Sequence, residues 1–469
     1  MHEDSTATRA PGPSSPAPYA EEATLGGIPV GSPAARRALI HSFFDGLLAN
    51  GMVALQETFA IAAAVSLHAS AMAIALMSSL PMLFGSLAQF LLPAVAGPSK
   101  GRKHYVLLGV RMQALFLFAC AFTGFLPASV APWVYAATFV MAGVSGNAIG
   151  GFWTSWMGDL IPGEVRGRHF AWRNAWLAWM YLACSLAAGT LAREYTSRSA
   201  PWTLFACVFA CAALLRAGSW FFLSRQWEPE PVHARETFNL FRFRPHGDFL
   251  MYCLATSAFT GAAAMSGPFF SVWYLRDLHY DYLTVAIALS ATVLGSIAGL
   301  PLWGRLCDTI GTSRTLRISG LLVCFIPIPF LFASAPHWIW LINVYSGATW
   351  AGYNLANFNH LLSATESRQR THYIAFAALI GGVMGFAFTM VGGFLSTRLP
   401  PLNGYGLRSL FLLSVVIRLS VCLVFFNGIR EYRQTLPSAG SLDLFNAIPG
   451  YRVGLGLARN AFRALRGGD

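Results

Sequence analysis

The chain has 469 residues, 55% hydrophobic and 11% charged, with a formal net charge of +12 and a mean hydropathy of +0.52. Soluble domains carry about 25% charged residues, so the composition excludes an ordinary water-soluble globule and reserves the apolar surface for lipid. The eight cysteines form no CxxC and none pairs with His at ligand spacing, which argues against a disulfide framework or a metal centre.

In chain order, residues 1–35 are rich in Pro, Ser and Ala without an apolar core, and are expected to form a disordered cytoplasmic tail rather than a signal peptide. Six apolar runs follow at 38–66, 71–96, 104–126, 131–157, 169–192 and 201–224. Each is long enough to cross a hydrocarbon core, which takes roughly 20 residues. Segment 225–247 sets Glu228, Glu230 and Glu236 among basic residues and reads as a cytoplasmic linker. Six more runs lie at 248–275, 282–303, 315–334, 337–361, 373–396 and 407–428. Every run is predicted helical, because backbone in lipid must satisfy its own hydrogen bonds. Beyond them, in 429–469, Val453, Leu457, Phe462 and Leu465 alternate with Arg452, Arg459, Arg463 and Arg466. This is the pattern of an amphipathic helix on the inner leaflet, with a plain basic tail as the alternative.

With both termini cytoplasmic, 24 of the 32 Lys and Arg fall inside and five outside, the bias that orients a multi-pass protein. Loops beside an anionic leaflet then account for the positive charge, and no nucleic-acid partner is expected. The second half also repeats the first, roughly 200 positions later, as transporter folds do. Glu164-Val165-Arg166-Gly167-Arg168 recurs as Glu366-Ser367-Arg368-Gln369-Arg370, Ser145-Gly146 as Ser346-Gly347, Gly85-Ser86 as Gly295-Ser296, and Arg216 as Arg418. Ordered matches of this kind imply a duplicated helical bundle.

After the eighth run comes Gly304-Arg305-Leu306-Cys307-Asp308-Thr309-Ile310-Gly311-Thr312-Ser313-Arg314. It resembles the G-x-L-x-D-x-x-G-x-x-[RK] loop of the major facilitator superfamily, and the likeness of organisation extends from about 36 to 428. The resemblance implies an all-α integral membrane fold of twelve transmembrane helices in two pseudo-symmetric six-helix bundles, 36–224 and 248–428, with cytoplasmic termini. It also implies that Gly304, Arg305, Asp308, Gly311 and Arg314 latch one conformational state. The first-half copy keeps Gly101 and Arg102-Lys103 but has Pro98 where Asp308 stands, so that latch lacks its acid and is either weaker or uses Gln89. Arg166 and Arg168, with Glu366, Arg368 and Arg370 in the second copy, are expected to gate the cytoplasmic mouth. Contact with lipid phosphates and helix C-termini is the alternative for these arginines.

Ionisable groups inside spans mark function, and Asp45 and Glu57 stand out in the first run. Glu57 lies past the midpoint, beside Gln56 and two turns beyond Asn50 on the same face. A carboxyl group in a low-dielectric cavity can keep its proton, so Glu57 is the candidate for proton coupling or substrate contact. Asp45 lies nearer the cytoplasm, with His41, Arg36 and Arg37 as candidate partners, and is assigned to gating. In the seventh run Gly267-Pro268 breaks the helix, and Phe270 joins the candidate site. In the tenth, Asn343, Ser346, Trp350, Asn354 and Asn357 share one helical face, and the fourth-run counterparts include Trp153 and Trp156. An amide wall opposite an aromatic one suits a small amphipathic organic solute, whereas interhelical bonding by the Asn residues is the structural alternative. Arg216 and Arg418 lie in peripheral spans and are expected to bond neighbouring carbonyls or a carboxylate.

The expected function is a secondary active transporter, a monomeric multi-pass permease of the bacterial cytoplasmic membrane. It moves a small organic solute by alternating access, with protons coupled through Glu57. Its partners are the solute, protons and membrane lipids. No nucleotide fingerprint is present and no cofactor is expected. Two other readings stand beside it: a non-transporting sensor or assembly factor on the same fold, and a membrane-embedded lipid or glycan enzyme, for which only isolated groups such as His360 and His372 are available.

Overall fold

The structure is a computed structural model that describes the backbone of residues 24–25, 28–29, 33–95, 101–160, 163–196, 201–228, 245–365 and 370–430. Apart from a few residues at their inner ends, the expected tails and linker lie outside the described residues. So do Glu366 and Arg368, and the side chains of Arg166, Arg168 and Arg370.

The described chain is a row of helices: α1 (Pro33–Ser66), α2 (Ala71–Val95), α3 (Arg102–Phe122), α4 (Ala131–Ala148), α5 (Gly150–Leu160), α6 (Gly163–Thr196), α7 (Pro201–Arg225), α8 (Gly247–Ala264), α9 (Gly267–Val272), α10 (Tyr282–Ile310), α11 (Thr312–Cys324), α12 (Pro327–Phe330), α13 (Pro336–Ser363), α14 (Arg370–Leu395) and α15 (Gly406–Phe425). A two-residue pairing of Thr24–Leu25 with Ile28–Pro29 precedes them. Among the described residues, ten helical segments are long and apolar enough to cross a membrane. The two expected runs outside that set, 131–157 and 337–361, are symmetry mates. The first is divided at Ile149 between α4 and α5, though the Trp153 N–H still bonds the Ile149 carbonyl at 2.9 Å. The second, α13, is unbroken but carries Asn, Ser, Tyr and His along its length.

The repeated glycines mark helix crossings. Gly295 of α10 lies against the Val344 carbonyl of α13, and Gly347 of α13 against the Thr292 carbonyl of α10; a Cβ at either would collide with backbone. Ser296 donates to the Gly347 carbonyl at 3.0 Å. In the first half Gly85 of α2 meets Asn147 of α4, and Gly143 meets Pro81. Even a turn is duplicated: His68 after α1 and His279 before α10 both take left-handed backbone, with φ of 55° and 53°. The halves meet as α2 on α14 and α6 on α10, through Gly382 on Ser86, Gly393 on Ala75 and Gly189 on Ala286. Small residues let backbones approach where lipid removes the hydrophobic drive between helices.

The break in the seventh run is repaired from outside it. α8 ends at Ala264 and α9 restarts at Gly267-Pro268, and carbonyls in the last turn of α8 take partners from other helices. Ser414 donates to Ala262 at 2.7 Å, Thr389 to Ala264 at 3.3 Å and Arg418 to Ala263 at 3.4 Å. Arg418 also donates to Ser266 Oγ at 2.8 Å and to the Val323 carbonyl at 3.4 Å. Its guanidinium is therefore a plug of donors for a broken helix.

Candidate functional site

On α6, Arg173, Leu177, Tyr181 and Ser185 recur every fourth residue and so form one stripe, laid along α1. Arg173 Nη2 stands 3.7 Å from Asp45 Oδ2, and Asn50 Nδ2 donates to the Leu177 carbonyl. The Tyr181 hydroxyl donates to Glu57 Oε2 at 3.1 Å, and the hydroxyls of Thr58 and Ser185 lie 2.9 Å apart. The two carboxylates that stood out in the sequence are thus successive rungs of one polar seam.

The lower rung is a closed cage. Asp45 is 3% exposed, and Ser219 of α7 donates to its Oδ1 at 2.7 Å while Arg216 Nη1 donates to Ser219 Oγ at 3.3 Å. Arg173 Nε donates to the Ser42 carbonyl at 3.1 Å, and its guanidinium lies 5.3 Å from the Trp153 ring centroid. Gly46 leaves room for that guanidinium. His41, expected to face Asp45, instead lies beside the Phe222 ring. Trp153 therefore belongs to the Asp45 cage, and Asn50 belongs to the seam with α6.

Around the upper rung, α1, α2, α3, α4 and α7 line a partly open cavity of about 390 Å³. Glu57 is exposed to it, and Gln56, Gln113, Asn147 and Arg216 also line it. Asn147 donates to the Pro81 carbonyl at 3.1 Å, and its own carbonyl accepts from Gln89. Gln113 is 6% exposed and its amide oxygen has no partner among the described residues. Neither Gln113 nor Tyr181 was singled out from the sequence. Gln113 left a faint signal, a polar residue inside an apolar run; Tyr181 left none, since its partner lies far off in the chain.

The second-half candidates do not assemble into a facing wall. Asn343 donates to the Ile339 carbonyl at 2.8 Å and to Tyr274 at 3.3 Å, and accepts from Thr292 at 3.0 Å. Asn357 accepts the Tyr252 hydroxyl at 2.6 Å, so both amides bond between helices of their own half. Asn354 is exposed, and Trp350 packs edge-on to Tyr353 at 5.5 Å. Phe270 stacks on Phe411 at 4.2 Å, toward α15.

The two mouths differ. Residues 304–314, expected as a loop, are instead the end of α10 and the start of α11 joined at Gly311, whose φ of 92° favours glycine. Arg305, Asp308 and Arg314 are exposed and form no ion pair among the described residues, while Gly304 has open space around it. The first-half copy is gripped: Arg102 Nε lies 3.7 Å from Glu228 Oε1, the Lys103 N–H donates to the same oxygen at 3.2 Å, and Arg102 Nη1 donates to Ser155 at 2.9 Å. Glu228, just past α7, supplies the acid missing at Pro98. At the opposite mouth Tyr282 of the second half lies against Phe59 and Phe205 of the first, at 6.4 and 5.5 Å. Arg193 Nε lies 3.6 Å from Asp281 Oδ2 across the same boundary, and Asp281 caps α10 by accepting the Thr284 N–H at 2.9 Å. Burial, then neighbouring Tyr405, pushes the Tyr280 phenol up to about 12, so it stays a neutral donor to the Ser334 carbonyl.

The family model described as Major Facilitator Superfamily matches residues 39–389 and 252–465. Among solved structures the chain is similar to a D-xylose-proton symporter, with a TM-score of 0.66 and 12% identity over 86% of this chain and 100% of that one. It is similar also to the xylose transporter XylE from E. coli in a partially occluded inward-open conformation, with a TM-score of 0.65 and 12% identity over 86% and 100% of the two chains. A bacterial homologue of the human lysosomal transporter Spinster, inward-facing and occupied, gives a TM-score of 0.64 and 14% identity over 86% and 99%. No curated protein matches the chain.

Proposed function

Because the chain belongs to the major facilitator superfamily, and is a membrane transporter rather than an enzyme, we propose that it moves a small organic solute by alternating access with protons coupled through Glu57. The observation that carries this reading is the placement of Glu57, exposed to a partly open cavity of about 390 Å³ with Tyr181 on one oxygen. In this reading the ten apolar segments, together with α4–α5 and α13, make twelve crossings. The termini and residues 304–314 face the cytoplasm of a bacterium, and the transporter works as a monomer.

The difference between the mouths supports an inward-facing state. Tyr282 and the Arg193–Asp281 pair close the outer side, while Asp308, Arg305 and Arg314 stand free of ion pairs among the described residues on the inner side. Rocking the halves inward-closed would bring residues 304–314, with Arg166, Arg168, Glu366, Arg368 and Arg370, into their latching contacts. The first-half grip of Glu228 on Arg102 and Lys103 holds α3 to the chain after α7 in the present state.

Counterflow in proteoliposomes tests this reading. Liposomes preloaded with each member of a solute panel should accumulate the labelled form of at least one of them, saturably and without an energy source. Absence of counterflow for every solute, with folded protein, would instead favour the sensor reading.

A further inference from the structure

We propose that the first-half cavity recognises a zwitterion with an apolar body, of the kind a free amino acid presents, with its ammonium toward Glu57 and its carboxylate toward Arg216. This rests on the transporter reading above and concerns the proton-free form of Glu57. Four charged side chains make up the cage and the cavity wall: Asp45, Glu57, Arg173 and Arg216. Asp45 faces Arg173 at 3.7 Å, whereas Arg216 reaches it only through Ser219, over hydrogen bonds of 3.3 and 2.7 Å. One carboxylate in the cage thus answers two guanidiniums, and ionised Glu57 balances the surplus. Among the described residues Glu57 and Arg216 are the charged side chains that line the cavity. The wall is therefore dipolar, and the four groups together carry no net charge.

Each wall charge also keeps an unspent hydrogen-bonding position. Tyr181 occupies Oε2 of Glu57 and leaves Oε1 without a partner among the described residues. Nε of Arg216 is a buried donor, likewise without a partner among them, and the amide oxygen of Gln113 is a second such acceptor. Acceptors call for the N–H groups of an ammonium and the guanidinium for a carboxylate, and bonds of this charge-assisted kind are about twice as strong as neutral ones. A solute with an ammonium alone would leave the buried group of four with a net positive charge, and one with a carboxylate alone with a net negative charge. Uncompensated charge is costly away from water, whereas a zwitterion leaves the sum at zero. A neutral amide would match donors with acceptors but forgo the charge assistance at both ends. Met52, Met77, Met82 and Phe139 complete the wall with thioethers and a ring that adapt to an irregular apolar body. The volume of about 390 Å³ lies in the range of small-ligand sites.

Isothermal titration of the full-length protein in detergent at about pH 8 tests the proposal with four probes of one shape. They are L-phenylalanine, 2-phenylethylamine, 3-phenylpropionate and 3-phenylpropanamide. Phenylalanine should bind about ten- to a hundredfold more tightly than each of the others, the factor contributed by one charged hydrogen bond. The variants should shift the ranking by charge. Glu57→Gln leaves the surplus guanidinium unanswered and should move the preference toward 3-phenylpropionate, whereas Arg216→Gln leaves a surplus carboxylate and should move it toward 2-phenylethylamine. A purely structural role for either residue would weaken all four probes alike, and that result overturns the proposal. Should a variant not fold, the wild-type ranking decides alone. An amine, carboxylate or amide that binds wild type as tightly as phenylalanine, or no heat from phenylalanine, also overturns it. Counterflow of some other solute without phenylalanine binding would overturn the zwitterion and spare the transporter; phenylalanine binding with no counterflow of any solute would do the reverse.

Discussion

Asp45 and Glu57 sit on one helix and meet opposite fates. Asp45 is sealed between Arg173 and the Ser219–Arg216 pair, while Glu57 opens on a cavity. Removing one partner of a buried ion pair leaves an uncompensated charge, so Asp45→Asn should cost about 3–5 kcal/mol of stability. A fall in the thermal midpoint of the purified protein checks this; a midpoint within a degree or so of wild type would show that the cage carries no such weight. Both carboxylates were legible in the sequence because a charge inside an apolar run has few innocent explanations. Their partners were not, because Arg173, Tyr181 and Ser219 come from helices far along the chain and no local spacing encodes which face will meet α1.

Helix breaks and crossings were more legible than helix faces. Gly267-Pro268 announced the break, and the pairing of Arg216 with Arg418 suggested bonding to carbonyls or a carboxylate; the structure shows each, Arg418 on carbonyls and Arg216 beside Asp45 through Ser219. Arg418→Leu should strip donors from the Ala263 and Val323 carbonyls and destabilise by about 3 kcal/mol or more, since each buried unsatisfied group costs about 1–3 kcal/mol. Ser414→Ala, which loses one donor to Ala262, should cost about 1 kcal/mol by the same reasoning, and guanidinium-free thermal melts would rank the two. The Asn stripe of α13 shows the limit of periodicity. A spacing of three and four places residues on one face, but that face wraps: Asn343 turns to α10, Asn357 to α8, and Asn354 alone is left exposed.

At the scale of the whole molecule, the duplication was legible from ordered matches, and helix crossings give the repeated glycines their physical reason, Gly295 and Gly347 between α10 and α13, Gly85 against Asn147 of α4 and Gly146 against Gln113 of α3. The asymmetry between mouths was not legible, because Glu228 acts from a segment that reads as a polar linker and Tyr282 from the first turn of α10. The outer closure predicts its own release: Tyr282→Ala with Asp281→Asn, in a background lacking the eight native cysteines, should speed labelling of Ala286→Cys, buried where α10 meets Gly189 of α6, by an impermeant maleimide about two- to tenfold. That factor corresponds to the roughly 0.5–1.5 kcal/mol of an aromatic contact, and unchanged labelling would mean that Tyr282 does not hold the outer mouth.

The central claim, that solute movement is coupled to a proton carried on Glu57, is tested most directly by proteoliposomes loaded with a pH-sensitive dye and challenged with a gradient of a solute that shows counterflow. Wild type should show a solute-dependent change in lumenal pH that Glu57→Gln lacks while remaining folded. An equal signal from Glu57→Gln, or none from wild type despite active counterflow, would contradict it.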